Sequence, residues 1–274
     1  MRHAICNEIF RGWSFADAAK FARSTGYTGL EIAPFTLAES PTCITPSQRK
    51  EVCDILDSED LTFAGLHWLM VSPKGLHVTT PDEALRDRSW QHIRDLIDLC
   101  ADFGPDGVMV FGSPLQRSAV DGSSIAEATG RFAEGLESVA GQAENRGVTI
   151  LVEALPADQS NVVNTLAEAV SIVREIASPA IQTMFDTHNA ADETESHAAL
   201  VERYFEFIRH VHVNEMDGRH PGQGDYDFKP VLKTLDRLDY QGWISLEAFD
   251  FSPGAERIAR ESIHYLNGEM AKYQ

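Results

Sequence analysis

Short apolar runs alternate along the chain with longer amphipathic stretches, and this alternation predicts eight strands and eight helices. The strands are predicted at 3–6, 29–32, 61–67, 107–111, 148–153, 181–186, 211–213 and 243–247. The helices are predicted at 15–23, from 45 or 47 to 58, and at 81–103, 123–145, 166–176, 197–207, 228–238 and 255–266. Strands that are separated by helices pair in parallel. We therefore predict an α/β fold, a single-domain (β/α)8 TIM barrel over residues 1–274.

Two of the predicted helices begin at clear capping signals. Ser14 precedes the first helix, and Asp17 stands at the reciprocal position of a capping box. Thr80 is predicted to cap the third helix, because Pro81 suits the first helical turn. These signals support the helix positions that the apolar pattern gives.

Length and composition agree with one soluble barrel. The chain has 274 residues, of which 43% are hydrophobic and 24% are charged, as in an ordinary soluble domain. A doubly wound open sheet is the alternative architecture. It is disfavoured because Arg11-Gly12-Trp13, and no Gly-rich dinucleotide-binding loop, follows the first predicted strand.

Charge and apolar patterning limit the partners. The formal net charge is -19, which repels phosphodiester backbones, so we expect no nucleic-acid partner. No apolar run approaches the roughly 20 residues that cross a bilayer, and the N-terminus lacks the apolar region of a signal peptide. We expect no membrane association and a cytoplasmic location. The absence of a Cys-x-x-Cys pair among the four cysteines agrees with reduced thiols.

Metal-capable side chains stand at the ends of four consecutive predicted strands, at Glu153, Asp186, His212 and Glu247. Each alone has an ordinary structural explanation, as a solvated strand end, a turn-capping carboxylate or a hydrogen-bonded core histidine. Consecutive strand ends lie side by side in a barrel, so we expect the four to converge. Three carboxylates and one imidazole suit one divalent cation, either Mn²⁺, Mg²⁺ or Co²⁺, better than a structural zinc.

The sequence around these residues resembles the xylose-isomerase-like TIM-barrel superfamily of sugar isomerases and epimerases. The matching segments are Val152-Glu153-Ala154, Phe185-Asp186-Thr187-His188, Val211-His212-Val213-Asn214-Glu215 and Leu246-Glu247-Ala248. That family has its metal-binding Glu, Asp, His and Glu at these places. The resemblance extends from the first strand to the last helix, and it is closest to the ketose 3-epimerase and hydroxypyruvate isomerase branches.

The resemblance implies a metal-dependent isomerase or epimerase that acts on a small-molecule sugar or keto-acid. Removal of a proton α to the carbonyl would give an enediolate, which the metal would stabilise as a Lewis acid. Glu153 and Glu247 would be the acid/base pair on opposite faces of the substrate, and both would also bind the metal. Members of the family often form dimers or tetramers, so the resemblance implies a homodimer or homotetramer.

Four further residues are candidates for substrate binding, namely His67, His188, Glu215 and Arg219. His188 lies one place earlier than the histidine of the epimerases, and Asn189 occupies that family position. Arg219 lies one place late. Its forked donors suit paired oxygens, but a loop salt bridge with Asp217 or Asp225 is an equal alternative. His67 ends the third predicted strand, and packing against its neighbours explains a histidine there equally well.

Three competing functions share this kind of barrel or site. A lyase of the keto-inositol dehydratase or 3-keto-glycoside-cleaving type would begin with the same proton abstraction. An apurinic endonuclease is opposed by the negative net charge and by Phe111-Gly112-Ser113, which has no histidine after the fourth strand. A non-catalytic sugar-binding protein would not need two opposed carboxylates. The isomerase or epimerase is the leading hypothesis.

Overall fold

Eight parallel strands close into a barrel in sequential order in the computed structural model, which describes residues 1–120 and 122–271. The strands are β1 (Arg2–Cys6), β2 (Gly29–Ile32), β3 (Thr62–Leu66), β4 (Val108–Phe111), β5 (Thr149–Val152), β6 (Ile181–Asp186), β7 (Ile208–Val213) and β8 (Trp243–Leu246). The α-helices of the described ranges are α1 (Phe15–Thr25), α2 (Pro46–Ser58), α3 (Glu83–Phe103), α4 (Pro114–Arg117), α5 (Ile125–Arg146), α6 (Leu166–Ile176), α7 (His197–Tyr204), α8 (Lys229–Arg237) and α9 (Ala255–Ala271). The predicted (β/α)8 barrel is confirmed. Residues 272–274 of the predicted domain lie outside the described residues.

The strands lie close to their predicted positions because they are almost wholly buried, so that their apolar runs stand out in the sequence. The bounds of β2 and β6 are those predicted. The strand predicted at 211–213 begins earlier, at Ile208, and His210 pairs with Trp243 of β8. Tertiary pairing thus extends a strand beyond the part that its apolar pattern marks.

The last helix, predicted to end at residue 266, extends to Ala271. Two further helix boundaries differ from the prediction for local reasons. The helix predicted from residue 81 begins at Glu83, because the side chain of Asp82 accepts a hydrogen bond from the amide of Leu85 at 3.1 Å and caps the helix. Thr80 accepts instead from the amide of Asp82, at 3.2 Å. The helix predicted at 197–207 ends at Tyr204 and continues as the 3-10 turn Phe205–Phe207.

A short helix that the pattern did not predict, α4, follows β4 at the carboxyl end of the barrel. Its last residue, Arg117, is fully buried. The guanidinium donates to the carbonyl oxygens of Phe111, at 2.9 Å, and of Val163, at 3.3 Å. These bonds satisfy buried carbonyl groups and fasten the loops after β4 and β5 to each other.

The apolar core lies between the barrel and the surrounding helices. Helices α3 and α5 pack together closely at Gly135, where a Cβ atom would lie 1.9 Å from Cε2 of Trp90. The indole of Trp90 also packs near the rings of Phe111 and Phe132. Among the described helices, none is long and apolar enough to cross a bilayer.

Replacement of Gly135 by alanine is expected to lower the free energy of unfolding by about 1–3 kcal/mol, because the indole of Trp90 must move. The same replacement at Gly130, where a Cβ would meet nothing within 4 Å, is the matched control on the same helix. It is expected to raise the free energy of unfolding by about 0.5–1 kcal/mol, since alanine favours helix. Urea unfolding followed by circular dichroism measures both changes. Equal stability of the two variants would contradict the close contact at Gly135.

Candidate metal centre and active site

A cavity of about 540 Å³ opens at the carboxyl end of the barrel strands. Apart from Val110 of β4, the residues that line it follow β3, β4, β5, β6, β7 and β8, and they include Glu153 and Glu247. Its apolar walls include Trp68, Leu155 and Phe249. Active sites of this kind of barrel form at the carboxyl ends of the strands, so the cavity lies where catalytic groups are expected.

The four predicted metal ligands converge beside this cavity. Asp186 of β6 and His212 of β7 are register partners in the sheet. Glu153 and Glu247 each follow directly after a strand, β5 and β8 respectively. One ligand atom from each of the four residues lies within 4.8 Å of the others, and all four side chains are buried. The barrel therefore assembles a compact set of three carboxylates and one imidazole.

Backbone and side-chain donors fix two of the carboxylates. Oδ1 of Asp186 accepts hydrogen bonds from the amides of His188, at 2.7 Å, and Asn189, at 2.9 Å. Its Oδ2 is buried and has no hydrogen-bond partner among the described residues. Oε1 of Glu153 accepts from Nδ2 of Asn189 at 2.9 Å. A buried carboxylate oxygen without a donor is costly unless a cation lies against it.

Gly112 leaves the space that the carboxylate of Glu153 occupies. A Cβ atom at residue 112 would lie 2.1 Å from Oε2 of Glu153. Any larger residue would displace this carboxylate from the cluster or force the backbone away. The glycine of the turn after β4 therefore helps to shape the site.

Glu247 has two close neighbours of its own. Nε1 of Trp68 donates to its Oε1 at 2.7 Å, and its Oε2 lies 3.1 Å from Nδ1 of His212. Trp68 directly follows His67 and has a left-handed backbone, with φ of 52°. The ring of Trp68 also lies near those of Phe35 and Phe249. The indole of Trp68 thus both packs against apolar rings and orients a carboxylate.

His212 is oriented by a buried carboxylate beneath the cluster. Its Nε2 lies 3.0 Å from Oε1 of Glu31, and Nε2 of His210 lies 2.8 Å from Oε2 of the same side chain. A carboxylate that accepts Nε2–H leaves Nδ1 of His212 free to ligate. This Nδ1 faces the other predicted metal ligands and lies 3.6 Å from Oδ2 of Asp186.

The electrostatics of the cluster favour a cation. Burial, and then the nearby charges of Asp186 and Glu247, raise the pKa of Glu153 to about 8. Burial opposes the charged imidazolium, but Glu31 and Glu247 outweigh it and raise the pKa of His212 well above its ordinary value. Closely spaced buried carboxylates take up positive charge, either as a proton or as a metal ion. The donor set and the unpartnered oxygen of Asp186 fit one divalent cation.

The candidates for substrate binding separate into two pairs. His67 and His188 line the cavity. His67 also makes a 2.7 Å hydrogen bond from Nε2 to the buried carboxylate of Glu8. Nδ1 of His188 lies 3.3 Å from the carbonyl oxygen of Glu215. Since a carbonyl only accepts, Nδ1 of His188 is the donor in this contact.

Glu215 and Arg219 are not among the residues that line the cavity. The carboxylate of Glu215 accepts the amides of Gly222, at 2.8 Å, and Tyr226, at 3.1 Å, so it organises the loop after β7. Arg219 makes a 2.7 Å salt bridge with Asp217 and is partly exposed. The alternative role of Arg219, a loop salt bridge, is therefore the arrangement observed. Substrate binding by these two residues stays a prediction without geometric support.

Glu31, Trp68 and Asn189 contribute to the site but were not among its predicted residues. Glu31 carried a signal, because an acidic residue inside the apolar strand Gly29–Ile32 is unusual. Asn189 also carried a signal, because it stands where the epimerases have a histidine, whereas Trp68 carried none that distinguishes it from a packing residue. Their roles depend on side-chain orientation, which is set by contacts across the barrel mouth.

A Glu31→Gln variant is expected to bind Mn²⁺ about 10–100-fold more weakly, as is typical when a partner of a metal-ligating histidine is lost. The reason is that an amide offers one acceptor oxygen, whereas the carboxylate serves both His210 and His212. Calorimetric titration measures the Kd. Glu51→Gln, on the exposed surface of α2, is the matched control. An unchanged Kd in a folded Glu31→Gln protein would refute the orienting role.

Sequence and structure comparisons agree with the barrel fold. The family described as xylose isomerase-like TIM barrel matches residues 19–268. A probable ketose 3-epimerase of Synechocystis sp. is 24% identical over 89% of this chain and 87% of that protein. A D-psicose 3-epimerase of Agrobacterium fabrum is 26% identical over 47% of this chain, and the matched part spans about half of that protein, 46%. The crystal structure of a 3-keto-D-glucoside 4-epimerase from E. coli has a TM-score of 0.84 at 19% identity and covers 98% of this chain and 99% of that chain. The predicted family is confirmed, and the chain belongs to the xylose isomerase-like TIM-barrel family.

Proposed function

We propose that this protein is a divalent-metal-dependent sugar epimerase or isomerase that moves a proton on the carbon next to the carbonyl of a ketose. The observation that carries the proposal is the pair Glu153 and Glu247, two buried carboxylates that line the cavity and belong to the same cluster with His212. Relatives named as ketose 3-epimerase and D-psicose 3-epimerase support this chemistry.

Glu153 and Glu247 would serve as base and acid on opposite faces of the substrate. In one direction ionised Glu153 would take the proton from the carbon and protonated Glu247 would deliver its own proton to the other face, and in the reverse direction the two roles and protonation states exchange. Each carboxylate is already held by a neutral donor, Asn189 or Trp68, so little reorganisation is needed. Positioned groups of this kind typically contribute on the order of 10²–10⁴-fold to the rate.

Together with these two carboxylates, Asp186 and His212 would hold one divalent cation, and the oxygen-rich donor set suits Mn²⁺, Mg²⁺ or Co²⁺. When bound, the cation supplies Lewis-acid stabilisation of the negative charge that develops on the substrate oxygens. Proton abstraction requires ionised Glu153. Positive charge at the cluster favours that form, against the burial that raises its pKa to about 8.

The cavity walls suit a sugar. Trp68 and Phe249 offer apolar faces, and the ring of His188 packs against Phe249 with centroids 5.1 Å apart. His188 and His67 would contact substrate hydroxyl or carbonyl oxygens. Glu215 and Arg219 would act indirectly, through the shape of the loop that brings Asp217 and Gly218 to the cavity.

Glu153→Gln and Glu247→Gln are each expected to reduce epimerisation of a reactive ketose by about 10²–10⁴-fold, because one of the two proton transfers is lost. In D2O with Mn²⁺, each variant should still exchange a proton for deuterium in one epimer, at the face that its remaining carboxylate serves. NMR of D-fructose, D-psicose and L-ribulose measures exchange and epimerisation separately.

The two variants should show exchange with opposite epimers, which a general loss of folding would not produce. Metal content, measured on the same samples, controls for loss of the cation. Normal epimerisation by the Glu153→Gln protein would refute the mechanism. Release of water or of a glycone from a substrate would assign a lyase instead.

A further inference from the structure

We propose that Arg117 is a positioning residue for the proton transfer at Glu153, because its guanidinium braces the two carbonyl groups that bind the amides of Glu153 and Leu155. This inference rests on the proposed function and deepens it, since it makes one of the two proton transfers depend on a buried clamp. Arg117 is not among the residues that line the cavity, so it would act through the backbone and not by touching substrate.

Two carbonyl oxygens are shared between Arg117 and the segment that carries Glu153. The oxygen of Phe111 accepts from Nη1 of Arg117 at 2.9 Å and from the amide of Glu153 at 3.4 Å. The oxygen of Val163 accepts from Nη2 of the same guanidinium at 3.3 Å and from the amide of Leu155 at 3.1 Å. A planar guanidinium holds its donors in a rigid fork. One rigid group therefore sets the separation of the two carbonyls and the path of the segment bound to them.

Non-glycine residues with left-handed backbones stand on both loops that Arg117 joins. Val163 has φ of 60°, a conformation in which a β-branched residue is a rare outlier, and Ser113 has φ of 51°. Such conformations persist only where the surrounding contacts enforce them, and they concentrate at functional sites. The bonds from Arg117 to the carbonyl groups of both loops supply part of that enforcement.

The charge of Arg117 indicates a role beyond packing. The side chain is fully buried, and its Nε has no hydrogen-bond partner among the described residues. Burial lowers the pKa of Arg117 to about 10, against the opposing charge of Glu153, so the guanidinium stays charged at neutral pH. A buried charge is costly to keep, and apolar side chains of similar volume are often as stable in such places. A side chain that only filled this space would not need a guanidinium.

Gly112 links the clamp to the carboxylate itself. It directly follows Phe111, and a Cβ atom at residue 112 would lie 2.1 Å from Oε2 of Glu153. Movement of the Phe111 carbonyl would therefore move the backbone against which this carboxylate packs. A misplacement of about 1 Å in a reacting group can cost on the order of 10²-fold in rate. Glu247 follows β8 and is held by Trp68, so loss of the clamp should affect one proton transfer and spare the other.

The test measures deuterium exchange separately at the two faces of the substrate in Arg117→Lys and Arg117→Met. Both variants are saturated with Mn²⁺ in D2O and given D-fructose, D-psicose, L-ribulose and L-xylulose, which form two pairs of C3 epimers. The epimer that Glu153→Gln fails to exchange is the one served by Glu153. The kcat for exchange in that epimer is expected to fall about 10–100-fold in both variants. Exchange in the other epimer, and KM for both, should stay within about twofold of the wild type.

Both variants are expected to fold, because each carbonyl keeps one donor, the amide of Glu153 or of Leu155. Lysine keeps the charge but lacks the planar fork, so this variant separates the clamp from the charge. Arg49→Met is the matched control. Arg49 also donates to two backbone carbonyls, those of Ile44 at 3.1 Å and Pro41 at 3.3 Å, next to α2. Its replacement should leave exchange at both faces unchanged. Circular dichroism and metal content are measured on the same samples.

Three results would overturn the proposal. Wild-type exchange in the Glu153 epimer by Arg117→Lys would show that the fork is not needed. Equal losses in both epimers would show that Arg117 only supports the fold. Both of these results leave the proposed function intact. Exchange of none of the four ketoses by the wild type would instead refute the proposed function, and the role of Arg117 with it.

Discussion

Mutual repulsion among three buried carboxylates is the constraint on which the site depends. Glu153, Asp186 and Glu247 approach one another around a single imidazole, and burial removes the water that would screen their charges. Such a cluster must take up positive charge, and the raised pKa of Glu153 expresses that demand. The barrel supplies the rigidity that keeps the carboxylates together, because each is attached at the end of a different hydrogen-bonded strand.

A second group of buried carboxylates and histidines lies next to the cluster of predicted metal ligands. Glu31 lies inside the barrel and accepts from both His210 and His212, while Glu8 pairs with His67 at 2.7 Å. Each of these two buried carboxylates therefore has at least one histidine partner, which can carry the opposite charge. Although burial favours protonation of Glu31, His210 and His212 hold its pKa well below the ordinary value. Glu31 of this group fixes the ring orientation of His212, which the other three predicted metal ligands alone would not fix.

Most of the fold, and the identity of the four converging residues, could be predicted from the sequence. Apolar runs mark buried parallel strands, and topology then places Glu153, Asp186, His212 and Glu247 at one end of the barrel. The start of α3 could not be predicted, because the competition between two adjacent caps is settled by local hydrogen bonds. Nothing in the sequence chooses between the two roles of Arg219 or assigns Asn189 to Glu153, since both depend on which way a side chain turns within a loop.

The loop after β7 shows how chemistry and recognition are separated in this barrel. Glu215 faces inward and holds the loop through the amides of Gly222 and Tyr226. The carbonyl of Gly218 accepts the amide of Phe249 at 2.8 Å, which joins this loop to the segment after β8. Gly218 and Phe249 then form part of the cavity wall, while His212 stays fixed in its strand. Substitutions at Gly218 or Phe249 can therefore change the shape offered to a substrate without removing a hydrogen bond to the cluster, whereas Trp68 and Asn189 of the same wall hold Glu247 and Glu153.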